Sequence, residues 1–175
     1  VPLVERHYPT TGTAAGRLLI GFSKSGWGAF TLLLRHPKVF GYAASWDAPL
    51  LFDEKQFGIW NTQKHFGTME NFCAYLPSQL AAKADPSLRK HKRLVLAGAK
   101  LFGTFVDKRY TYEGPSHTKG MHALLAEHKI PHVYAPDVQA NHSWNAKWMR
   151  PVLAKLIALS DAHRTDEASE ETRAD

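Results

Sequence analysis

Ser23 stands in the run Gly21-Phe22-Ser23-Lys24-Ser25-Gly26-Trp27-Gly28. Before it lies a short apolar segment, Arg17-Leu18-Leu19-Ile20, and after it Ala29 to Arg35, a stretch without Pro or Gly that suits a helix. A serine between a buried strand and a helix, flanked by small residues, has the form of a nucleophile elbow. The reason is steric. The serine occupies a strained turn, so the residues two before and two after it must be small for strand and helix to approach. Gly21 meets that demand. Ser25 stands where the G-x-S-x-G pattern has glycine and is small enough to be tolerated, while Gly26 and Gly28 are expected to let the helix pack closely on the sheet. The start of the helix also offers N–H groups and a positive dipole end to negative charge developing near Ser23. Glycine-rich turns of this kind also cradle phosphates or simply turn. Neither G-x-x-x-x-G-K-[ST] nor a G-x-G-x-x-G after the strand is present, which disfavours a phosphate loop.

Serine chemistry needs a base to take the hydroxyl proton and a carboxylate to fix the base's tautomer and balance its imidazolium. Among ten histidines, His142 is the candidate base, because Asn141-His142-Ser143-Trp144 forms a turn after the last apolar run and before the final helical pattern. Trp144 and Trp148 are placed to pack beside the imidazole, although core packing explains them equally. Three aspartates compete as the acid. Asp107 ranks first, since it follows the run at 94–98 and precedes the helix at 116–129. Asp47, after the strand that follows the elbow helix, ranks second, and Asp137, close to His142 in sequence, third. Each could instead be a loop-capping carboxylate. With Asp107 the chain order is Ser…Asp…His.

These residues need a scaffold, and the chain alternates strand and helix patterns. Strands are expected at 17–22, 39–45, 94–98 and 132–135. Helices are expected after the elbow to His36-Pro37, at 116–129 and at about 145–160, the last with Trp148, Val152, Leu156 and Leu159 at helical spacing. Residues 50–90 are looser, with Phe52, Phe57, Trp60, Phe66, Phe72 and Tyr75 spread among polar residues. They read as core packing first and as the wall of an apolar pocket second. Asp107 falls in a long polar-aromatic loop. The alternation implies an α/β fold with a mostly parallel sheet and flanking helices. Ligands of such sheets bind beyond the carboxyl ends of the strands, where Ser23, Asp47, the Asp107 loop and His142 would all open. Residues 1–160 form the domain, and the polar tail 161–175 is expected to be disordered.

Composition narrows the alternatives. With 175 residues, 44% hydrophobic and 22% charged, the chain is one domain of ordinary globular character. No run approaches the ~18 apolar residues of a membrane span. Cys73 is the single cysteine, which excludes an internal disulfide and a multi-cysteine metal site, and no H-E-x-x-H pairs the histidines. The net charge of +6 is dispersed. Its densest cluster, Arg89-Lys90-His91-Lys92-Arg93, is short and precedes an apolar strand, so a nucleic-acid role is disfavoured.

Gly21 to Phe30 together with Asn141-His142-Ser143-Trp144 resembles the α/β-hydrolase superfamily. It is most similar to the esterase group that takes in esterase D, feruloyl esterases and mycolyl transferases. There the elbow runs G-x-S-x-G-G-x-G-A and the histidine precedes Ser-Trp or Ser-Tyr. The resemblance covers roughly residues 17–160. It implies Ser23 as nucleophile, His142 as base, Asp107 as acid and the backbone N–H of Lys24 as one oxyanion donor. Two positions depart from the pattern: Ser25 replaces glycine, and the loop of Asp107 carries no sharp family motif. In this fold several strands and the loop of the second oxyanion donor precede the elbow, yet only about twenty residues precede Ser23. The chain is therefore expected to be the carboxyl-terminal portion of the family domain, lacking its first strands. A signal peptide would lie upstream of Val1, which leaves the compartment open. The expected activity is cleavage of a small-molecule carboxylic ester through an acyl-enzyme, with no cofactor, metal or nucleic acid. The alternative is a non-catalytic binding protein of the same fold.

Overall fold

A computed structural model describes residues 1–98, 104–107, 110–113 and 116–174, with side chains described for 1–59, 61–98 and 116–165. Four parallel strands make the central sheet: β1 (Leu18–Phe22), β2 (Tyr42–Trp46), β3 (Leu94–Ala97) and β6 (His132–Ala135), in the order β1-β2-β3-β6. Each lies within two or three residues of its expected position. The β2 strand starts later than expected because Val39 and Phe40 N–H groups bond His36 O in a turn, and Gly41 N–H then bonds Arg17 O. A second sheet of two antiparallel strands, β4 (Thr104–Asp107) and β5 (Tyr110–Glu113), replaces the loop expected around Asp107. Its Thr, Phe, Val and Tyr content favours strands.

Period-two alternation sorts each strand's residues between two layers. Ala43, Leu94 and Leu96 face one layer, where they pack with Phe30 and Leu33 of α2 (Lys24–Arg35) and Met121 and Leu125 of α6 (His117–Glu127). Tyr42, Ala44, Trp46, Val95 and Ala97 face the other, against Trp148, Val152 and Leu156 of α7 (Ala146–Ala174). Helices thus cover both faces of the parallel sheet, an α/β-hydrolase type of arrangement. Helix α7 runs on through the polar segment from Asp161 to Ala174. Its Ala, Glu and Arg are strong helix formers, and no Gly or Pro interrupts it after Pro151.

Residues 50–90 form short helices, α3 (Thr62–Phe66), α4 (Met69–Cys73) and α5 (Pro77–Ala82), with 3₁₀ turns between. Phe52, Phe72 and Leu76 are fully buried with Trp27 in a third cluster, on which Phe57 and Phe66 pack. The amino-terminal α1 (Pro2–His7) is tied to the start of β1 by Arg17 Nε donating to Glu5 Oε1 at 2.7 Å. Among the described residues no helix is long and apolar enough to cross a membrane, and no group of three His, Cys, Asp or Glu is placed to hold a metal.

Candidate functional site

Parallel register brings two of the expected site residues side by side. Gly21 pairs with Ser45 and Phe22 with Trp46, so the next residue on each strand, Ser23 and Asp47, leaves the sheet at one level. Ser23 N–H donates to Trp46 O at 3.1 Å, and Asp47 N–H to Ala97 O at 3.0 Å. Both residues then turn with positive φ, 52° for Ser23 and 49° for Asp47. Positive φ is uncommon for residues with a Cβ, less so for Asp than for Ser, and such strain gathers at functional turns.

The turn at Ser23 has the tight packing that its small residues foretold. A Cβ on Gly21 would lie 2.1 Å from Ser25 O, and one on Gly26 would lie 2.7 Å from both Ala48 Cβ and Ser45 Oγ. Gly28 departs from the expectation: a Cβ there meets nothing within 4 Å, so close packing does not require this glycine. Ser25 does more than fit. Its hydroxyl accepts from Phe22 N–H at 3.0 Å and donates to Phe22 O at 2.8 Å, bracing the turn across its mouth. Ser23 occupies the N-cap position of α2, but its hydroxyl makes no cap bond. Instead Ser23 Oγ lies 3.2 Å from His142 Nε2. Lys24 opens α2, in the first turn whose N–H groups have no helical carbonyl to bond.

His142 Nδ1 lies 2.9 Å from Asp47 Oδ2, with the carboxylate side chain 5% exposed and the imidazole 30%. A carboxylate accepts only, so the proton sits on Nδ1; Nε2 then carries the lone pair and the Ser23 hydroxyl donates to it. The ring is walled by Phe22 at 4.5 Å between centroids and by Trp46 at 6.2 Å. The carboxylate bonded to His142 is Asp47, the acid candidate that sequence ranked second. Asp107 closes β4, and its side chain falls outside the described residues; Asp137 is exposed in the turn after β6.

The loop carrying His142 is held by Asn145, which sequence reasoning did not single out. Asn145 Nδ2 donates to Asn141 O at 3.2 Å, Ser143 O at 2.9 Å and Ser143 Oγ at 3.1 Å, while its Oδ1 accepts from Lys147 N–H at 3.0 Å. One side chain thus caps α7 and clasps both neighbours of His142. An Asn directly before a helical pattern is a capping signal, and this was its trace in the sequence. Trp148 Nε1 also donates to Ser143 O, at 2.8 Å. The two tryptophans divide their roles: Trp148 is fully buried, stacked on Trp46 at 5.0 Å, whereas Trp144 is 56% exposed with its edge to Phe22.

Beside the turn lies a cleft of about 480 Å³ lined by Lys24, Trp27, Gly28, Thr31, Phe66 and Tyr75, among others. The aromatic residues of 50–90 therefore both fill a core cluster and wall a cleft. Two other histidine environments stand apart from the site. His117 is buried, its Nδ1 accepting from Leu51 N–H at 3.0 Å, and burial pushes its pKa down from 6.5 to about 4. His132 is likewise lowered, first by burial, and its Nε2 lies 2.7 Å from His122 Nδ1.

A parallel sheet covered on both faces, with a serine, an imidazole and a carboxylate meeting at its carboxyl edge, defines the α/β-hydrolase class of architecture. The chain belongs to the esterase family described as "Putative esterase", which it matches over residues 1–159. That match corrects the expectation that the chain is merely the carboxyl-terminal portion of the family domain: it starts at residue 1 and takes in α1 and the turn before β1. No curated protein matches the chain. Among solved structures, a ferulic acid esterase is similar in fold, with a TM-score of 0.57 at 16% identity. The similarity covers 94% of this chain and 56% of that one, so the chain spans little more than half the length of that enzyme.

Proposed function

We propose that the protein is a serine hydrolase that cleaves a carboxylic ester through an acyl-enzyme, with Ser23 as nucleophile, His142 as base and Asp47 as the acid. The observation that carries this reading is the continuous row from Asp47 Oδ2 to His142 Nδ1 at 2.9 Å and from His142 Nε2 to Ser23 Oγ at 3.2 Å. His142 takes the Ser23 proton as Oγ attacks the acyl carbon. The buried Asp47 carboxylate holds the Nδ1–H tautomer and balances the imidazolium that forms. Collapse of the tetrahedral intermediate returns the proton to the leaving alkoxide, and water repeats the cycle on the acyl-enzyme. The backbone N–H of Lys24, at the helix start, stabilises the oxyanion in this reading; one such donor is worth ~2.7–4 kcal/mol in the transition state. Membership of an esterase family supports the reaction class.

The test is Ser23→Ala. Turnover of an activated ester such as p-nitrophenyl acetate should vanish in a variant whose melting temperature matches the parent. Turnover retained in that variant would exclude the mechanism.

A further inference from the structure

Helix α2 contains a glycine that its packing does not explain. Glycine inside a helix is destabilising relative to alanine, because it gives up more backbone freedom. Gly21 and Gly26 have clear reasons to lack a side chain, since a Cβ on either would strike neighbouring atoms at 2.1 and 2.7 Å. Gly28 has none: it sits within α2, and a Cβ there would enter open space with no atom within 4 Å. Gly28 lines the cleft described above.

The cleft starts at Lys24, the residue after Ser23, and follows one side of α2 past Gly28 to Leu32. At 1.5 Å per residue this path is about 12 Å long. The facing wall comes from Thr62, His65 and Phe66 of α3 and from Tyr75. Trp27 stacks on Phe66 at 5.8 Å and 26° between planes. Two polar groups of the lining are drawn inward: Trp27 Nε1 and Thr31 Oγ1 both donate to Tyr75 O, at 2.8 and 2.7 Å. What remains facing the cleft is largely hydrocarbon and aromatic surface. A volume of about 480 Å³ with such a lining suits a small apolar group.

We propose that this cleft receives the apolar acyl group of the ester, and that Gly28 sets how long that group can be. The inference rests on the reading of Ser23 as nucleophile, because the cleft matters to the acyl group only if the acyl carbon is held at Ser23. Filling the cleft repels water from aromatic surface, so each added methylene that it buries should raise kcat/KM about fourfold. A short acetyl group gains nothing from the cleft.

The experiment compares p-nitrophenyl acetate with p-nitrophenyl hexanoate in the full chain and in Gly28→Leu. Leu favours the helix and meets no atom at its Cβ, so the variant should fold with an equal or higher melting temperature. The parent should prefer hexanoate by about two orders of magnitude in kcat/KM. In Gly28→Leu that preference should fall at least tenfold, mostly through hexanoate. An unchanged preference in the folded variant would overturn the inference. So would an equal loss on both esters, the outcome expected if a protein segment or a partner, not an acyl group, occupies the cleft. Turnover by the parent with no chain-length preference would sink the inference alone. No turnover of either ester would sink the hydrolase reading, and this inference with it.

Discussion

Replacing Asp47 with Asn tests which carboxylate serves His142. Asn matches Asp in shape and tolerates positive φ, so the turn at φ 49° should survive and thermal unfolding should change little. What changes is the charge beside an imidazole that, in the proposed mechanism, becomes cationic as Ser23 attacks. With the charge centres roughly 4 Å apart and an effective dielectric of about 20, their attraction is about 4 kcal/mol. Losing it raises the barrier by three factors of ten, since each 1.36 kcal/mol is one. The Asn amide can also donate to Nδ1 and favour the wrong tautomer, which adds to the loss. The assay is kcat/KM for an activated ester across pH 5–9, with Asp107→Asn measured in parallel. Asp47→Asn should lose about a thousandfold or more, and Asp107→Asn less than about threefold. The reasoning is refuted if Asp107→Asn is the variant that collapses while Asp47→Asn stays within about tenfold of the parent.

Two further substitutions probe the loop and the core. Asn145→Asp keeps the oxygen that caps α7 but cannot donate to Asn141 O, Ser143 O or Ser143 Oγ. Stability should hold while kcat falls about tenfold with KM unchanged, the loss of one to two hydrogen bonds' worth of positioning of His142; an unchanged kcat would remove Asn145 from the account. His117 makes stability depend on pH in a definite direction. Its folded pKa of about 4 lies below the ordinary 6.5, so the unfolded chain takes up a proton that the folded chain refuses. The stabilisation is complete above pH 6.5 and is lost as pH falls towards 4, amounting to about 3 kcal/mol at the low end. Urea unfolding at pH 7.5 and 4.5 should show that decline in the parent and a smaller one in His117→Gln; equal declines would mean that His117 is not its source.

The turns at Ser23 and His142 were legible in the sequence because each signal is local. A serine among glycines after an apolar run, and a histidine turn before a helix, say where the chain bends. The four parallel strands were legible for the same reason, through runs such as Leu94–Ala97 with helical patterns between them. That Asp47 is the carboxylate bonded to His142 was not legible, because the decisive fact is relational. Only the register Phe22↔Trp46 puts Asp47 beside Ser23 at the end of the neighbouring strand. Before strands are paired, nothing separates Asp47 from Asp107. The β4–β5 pair was missed as a loop because its alternation is short and partly charged. Gly28 was grouped with Gly26 because a glycine's spelling does not show whether a neighbour or a void stands where its side chain would be.

Reaction with a fluorophosphonate probe, followed by intact mass and peptide mapping, tests most directly whether Ser23 is an activated nucleophile. A single adduct on Ser23 is expected, absent from Ser23→Ala and much slowed in Asp47→Asn. A folded protein that takes up no probe, or takes it up on another residue, would contradict the proposed mechanism.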